Sequence, residues 1–150
     1  MSATNGVFVP PGGGRHLKEP SGQVVSMKLF GRDTDQSVTL FEQSVPAGSK
    51  NSWLHLHHDS DEIAWVLEGE FTFRIGEATT TGGPGTCVFM PRKVPHAWKN
   101  SGSTPGRVVF LYTPAGAGGF VETMFDAPDT SELKARLEKY GWEVLGPSPL

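Results

Sequence analysis

Residues 55–62 read HLHHDSDE, and the apolar run IAWVL (63–67) follows at once. Three histidines and three carboxylates thus stand beside a stretch with the composition of a core strand. In a strand, residues i and i+2 face the same side. His55 and His57 therefore point together, with Trp53 in the same phase, and His58 faces away. Glu62 opens the next strand after the connection HDSD (58–61). If that strand pairs antiparallel with SWLHLH (52–57), Glu62 returns to the two histidines.

A fourth group comes from MPRKVPHAWKN (90–100). Pro91 and Pro95 end one strand and hold a tight turn. His96 opens the next, with Trp98 and Asn100 in its phase. Three neutral imidazoles and one carboxylate suit one first-row divalent ion, namely Fe, Mn, Co, Ni, Cu or Zn, with about two positions left open. The expected metal ligands are His55, His57, Glu62 and His96, and Glu62 is the candidate catalytic base. An isolated histidine on an apolar strand is usually a packed core residue; four groups in compatible phase and spacing reverse that expectation.

The rest of the chain fits a small β protein. It has 150 residues, enough for one domain with a real core. Its 19 glycines and 12 prolines recur as punctuation, in PPGGG (10–14), LEGE (67–70), GGPG (82–85) and PAGAGG (114–119). Between such turns lie short runs rich in β-branched and aromatic residues: QVVSMKLF, SVTLFEQSV, EIAWVLE, EFTFRIG, TCVFM, AWKN and RVVFLYT. This pattern predicts an all-β barrel or sandwich. One segment differs. PDTSELKARLEKYG (128–141) predicts a helix over about 130–140, with Asp129 as N-cap, Leu133, Leu137 and Tyr140 on one face, and Gly141 ending it. GFVETMF (119–125) is a second helical candidate.

Composition narrows function. The net charge is −3, and no basic stripe is present, which argues against a nucleic-acid partner. No apolar run approaches the roughly 18 residues of a membrane span. Cys87 is the single cysteine, which suits a reducing, cytoplasmic setting; its apolar strand reads as packing. Asp59 and Asp61 read as turn carboxylates, with Asp61 also near enough in sequence to orient a ligand. Trp53, Ala64, Val66, Phe71, Phe73, Ile75 and Trp98 are the expected lining of a substrate pocket. Ala64 would leave space beside the ion. Such a lining favours a planar or apolar small molecule; the plainer alternative is that these aromatics fill the interior.

Two motifs carry a family resemblance. Gly48-SKNSWL-His55-L-His57-HDSD-Glu62-IAWVLE-Gly69 resembles the first cupin motif, with six rather than five residues after the leading glycine. Gly85-TCVFM-Pro91-RKVP-His96-AWK-Asn100 resembles the second, with Lys93 where the pattern has glycine. Fifteen residues (70–84) separate them. The chain is most similar to small single-domain cupins of the quercetin dioxygenase-like group. The resemblance implies a jelly-roll barrel over 1–150 with a short C-terminal helix, a metal inside, and a homodimer. The same four ligands carry over position by position. The dimer contact would involve Trp65, Leu67 and QVVSMKLF. Three functions remain open: a dioxygenase of quercetinase type; a metal-dependent lyase, isomerase or decarboxylase; and a non-catalytic small-molecule-binding barrel.

Overall fold

The structure, a computed structural model, describes residues 5–127, 129 and 131–150. Eleven strands build two sheets. Those of the first are β1 (Arg15–Lys18), β2 (Val24–Leu29), β3 (Thr39–Val45), β5 (Asp61–Glu68), β8 (Cys87–Met90) and β10 (Gly106–Thr113), in the order β1-β2-β3-β10-β5-β8. The second contains β4 (Trp53–His57), β6 (Phe71–Ile75), β7 (Ala78–Gly82), β9 (His96–Asn100) and β11 (Trp142–Pro147), in the order β11-β4-β9-β6-β7. The non-sequential order is that of a jelly roll. The two sheets face each other as a sandwich, the all-β jelly roll expected from sequence, without closing into one continuous barrel.

Alternation drives the packing. Along β10 the buried residues are Val108, Phe110 and Tyr112, while Arg107, Val109 and Leu111 lie partly open on the other face. Phe71, Phe73 and Trp98 of the second sheet meet them across the interior, with the Trp98 and Phe110 ring centroids 5.3 Å apart. Each large apolar side chain so buried contributes about 1.5–3 kcal/mol. Gly69 makes the tight link from β5 to β6 possible. Its φ is 84°, and a Cβ there would lie 2.9 Å from Gly106 Cα.

Two sequence expectations change. β4 and β5 do not pair as a hairpin, because the short connection carries the chain from one sheet to the other. β4 instead lies between β9 and β11. The C-terminal part holds two helices, α1 (Gly118–Asp126) and α2 (Leu133–Lys139). α2 is shorter than the expected 130–140, of which Thr130, like Pro128 before it, lies outside the described residues. Glu132, not Asp129, stands at its N-cap position; the Asp129 carboxylate accepts bonds from Ser131 N and Oγ. Gly141 does follow the helix in the left-handed conformation, at φ 75°. α2 packs against β11, the edge strand of the second sheet.

Cys87 is exposed on edge strand β8, so the packing role expected of it is not observed. It pairs with Trp65, which is 48% exposed, and Phe89 beside it is 55% exposed. Among the described residues no helix is long and apolar enough to cross a membrane.

Candidate metal centre

The β4–β9 register places His55 directly opposite His96, and His57 follows His55 on the same face. The three rings converge, with centroids 4.5 Å (His55–His96), 5.0 Å (His55–His57) and 5.1 Å (His57–His96) apart. One ring nitrogen from each lies within 4.8 Å of the other two, and all three residues are buried. Glu62 enters from the opposite sheet. Its Oε2 lies 2.8 Å from His96 Nε2 and 3.8 Å from His57 Nε2. The carboxylate thus stands beside two of the histidines and farther from His55.

Backbone carbonyls orient two of the rings. His55 Nδ1 donates to Trp53 O at 3.0 Å, and His96 Nδ1 donates to Val94 O at 3.2 Å. With the proton on Nδ1, each Nε2 lone pair is free for a ligand. Burial first, then the neighbouring imidazoles His96 and His57, pushes His55 down to about 3. Burial lowers His57 as well, against the pull of Glu62. His96 behaves differently: burial would lower it, yet the charge of Glu62 beside it raises it overall. Burial acts to raise Glu62, but the two histidines hold its carboxyl well below the usual range.

The donor set fits a cation. Among the described residues, both nitrogens of His57, His96 Nε2 and Glu62 Oε2 are buried without a hydrogen bond of proper geometry. His96 and Glu62 are within ion-pairing distance, but the pairing does not satisfy either group as a hydrogen bond. Unsatisfied buried polar atoms are costly. Here they face one another, and one divalent ion would engage the lone pairs of all three histidines together with the carboxylate.

The turn before His96 is built for this position. Lys93 takes φ 67°, the left-handed conformation that the glycine of the resembled pattern would adopt. Its N–H donates to His57 O at 2.7 Å, tying the turn to β4. Arg92 grips the Asp61 carboxylate through Nε and NH2 at 3.2 and 3.1 Å. Asp61 therefore acts on the turn that precedes His96. His58 faces out and pairs with Glu143 at 3.1 Å.

Most of the expected pocket lining fills the interior. Ala64, Val66, Phe71, Phe73 and Trp98 are buried in one apolar cluster, and Ile75 packs against it. Ala64 faces inward, between Phe110 and Val88 on the flanking strands. Trp53 instead stands at the rim. With Leu133, Leu137, Trp142 and Val144 it borders a surface groove of about 600 Å³ that also includes Lys134.

Two residues at the centre were missed in the sequence. Trp142, on β11, stacks on His55 at 4.8 Å and 7°, meets His57 edge-on at 4.3 Å, and donates from Nε1 to Ala117 O at 2.9 Å. Tyr112, on β10, stands opposite Glu62 in the ladder and edge-on to His57 at 5.1 Å. The alternation of RVVFLYT could have found Tyr112, as a phenol closing an inward apolar row. No comparable periodicity marks Trp142.

A jelly roll with converging histidines on paired strands and a carboxylate from the facing sheet defines a class of β-sandwiches with a donor cluster able to hold a metal ion. Residues 41–112 match the family model for the cupin domain. Over those residues, just under half of the chain, it resembles the cupins. It is 34% identical over 76 residues to an uncharacterized protein of Methanocaldococcus jannaschii, a match spanning 51% of this chain and 60% of that one. In structure it is similar to an RmlC-like cupin from Shewanella frigidimarina, at TM-score 0.61 and 19% identity over 72% of this chain and 90% of that one. It is also similar to a sugar phosphate isomerase of the cupin superfamily from Silicibacter pomeroyi, at TM-score 0.54 and 19% identity over 67% of this chain and 69% of that one. At these identities the two structures speak for the fold.

Proposed function

We propose that this chain is a divalent-metal-dependent cupin enzyme acting on a small, apolar or aromatic oxygenated molecule, with dioxygenase chemistry of the quercetinase type. The observation that carries the metal reading is the cluster of three buried imidazoles, two of them with orphaned nitrogens, beside Glu62. His55, His57 and His96 would hold the ion, with Glu62 as fourth ligand. The bound ion would supply Lewis acidity toward an enolate or catecholate oxygen. Glu62 would be the chain's own proton acceptor on swinging free of the ion and of the two histidines that hold its pKa down. Trp142 and Trp53 offer aromatic surface beside the groove, and burial of His57 and His96 excludes water.

A second reading is a Lewis-acid isomerase without dioxygen. It is favoured by the similarity to the sugar phosphate isomerase. The groove weighs against a phosphorylated substrate, since Lys134 there pairs with Glu138 and Glu143 adds a second carboxylate to the lining.

Elemental analysis of the chain purified without a polyhistidine tag, beside His57→Ala, tests the metal. About one ion per chain, lost in the variant, is expected; none under metal-replete conditions would refute the reading. Oxygen consumption with flavonols, catechols and 1,3-diketones then tests the chemistry. Turnover of a phosphosugar without oxygen uptake would favour isomerisation.

The exposed Trp65 and Phe89 on the outer face of the first sheet support self-association as a homodimer. Light scattering should give twice the chain mass for the wild type and a monomer for Trp65→Asp. A wild-type monomer at micromolar concentration would refute the dimer.

A further inference from the structure

We infer that Tyr112 is a positioning residue, whose hydroxyl donates to the Glu62 carboxylate and fixes it beside the three imidazoles. The inference rests on the reading of that cluster as a metal centre. The β5–β10 register makes Glu62 and Tyr112 direct cross-strand partners on one sheet, and both are 3% exposed, so both point into the sandwich. Directly opposed side chains on one face lie within reach of each other.

The ring of Tyr112 has little freedom. It stands edge-on to His57 at 5.1 Å, 5.9 Å from Phe41 and 6.2 Å from Trp142. A buried phenol needs a hydrogen-bond partner, and Glu62, directly across the ladder and equally buried, is the acceptor the register offers. Packing alone would be served by phenylalanine, as at Phe110, the preceding inward position of the same strand. The hydroxyl occurs at the one step of the row that faces the carboxylate. Glu62 is thereby held between the imidazoles of the opposite sheet and the phenol of its own. Without the phenol, the carboxylate can rotate away from the ion, and partners of this kind typically account for 10–100-fold in metal affinity.

The test is a double-mutant cycle on the tag-free, metal-stripped chain, with Zn²⁺ as probe and a chromophoric chelator as competitor. Tyr112→Phe keeps the ring and should weaken Zn²⁺ binding about 10-fold. In a Glu62→Ala background the same change should have no further effect. An unchanged affinity, or an equal loss in both backgrounds, would overturn the inference, since a packing defect would act with or without Glu62. A wild-type chain that binds no Zn²⁺ would refute the metal centre and not the Tyr112–Glu62 bond. That bond is read separately by NMR of the metal-free chain. A slowly exchanging Tyr112 hydroxyl proton, lost in Glu62→Ala, is expected, and its absence from the wild type would overturn the assignment.

Discussion

Trp142 and His55 lie face to face, 4.8 Å between centroids and 7° from parallel, although 87 positions separate them in the chain. β11 brings them together by pairing with β4, opposing Trp142 to His57. The C-terminal strand therefore forms part of the wall of the centre, and Trp142 also borders the outer groove.

This contact makes Trp142 a reporter. Cu²⁺ or Co²⁺ added to the metal-free chain should quench a component of the tryptophan fluorescence, and Trp142→Phe should remove that component. A quenched amplitude unchanged by the substitution would mean that the ion binds elsewhere. Trp142→Ala also removes contacts to His57 and Phe120 and the bond to Ala117 O. It should cost about 3 kcal/mol in urea unfolding.

Lys93 offers a gain. A non-glycine residue at φ 67° pays about 1–2 kcal/mol for the left-handed conformation. Its side chain is exposed, and the bond to His57 O uses only the backbone N–H. Lys93→Gly should therefore stabilise the chain by about 1 kcal/mol while keeping its metal content. Lys93→Ala should gain nothing. A glycine variant less stable than the parent would show that the turn is not strained.

The contrast between Glu62 and Trp142 explains what was legible in the sequence. The spacing His55-Leu56-His57 and the proline-bounded His96 encode facing directions locally, because strand phase alternates residue by residue. The group containing His55, His57 and His96 needs only that phase and one strand pairing. The route of Glu62 was not legible. A short connection reads as a hairpin, yet here it crosses between sheets, and nothing local distinguishes the two. The interior filling by Phe71, Phe73 and Trp98 depends on how closely the sheets approach, which phase does not encode. β11 alternates poorly, with Glu143, Val144 and Leu145 all exposed in succession. Its place beside β4 comes from long-range pairing and the packing of Trp142.

The metal-free chain should reveal the centre's electrostatics through pH. His55 titrates near 6.5 in the unfolded chain and at about 3 in the native one, chiefly because of burial. Between these values the unfolded state holds a proton that the native state refuses. Stability then falls as pH drops, by about 1.4 kcal/mol per unit where the difference is complete. His57, lowered by the same burial, acts with the same sign. His96 is raised by Glu62 and opposes them: its contribution is fully present below 6.5 and is lost as pH rises through its raised value. Two lowered groups against one raised group leave a net loss toward acid. The urea midpoint of the metal-free chain should therefore decrease from pH 7 to pH 5. His55→Gln, which cannot take up the proton in either state, should flatten that dependence. A bound ion requires the same unprotonated imidazoles, so the loaded chain should show a steeper decline over this range. A midpoint that rises on acidification, or a slope unchanged in His55→Gln, would mean that the imidazole at position 55 is charged in the native state and is not available to a metal.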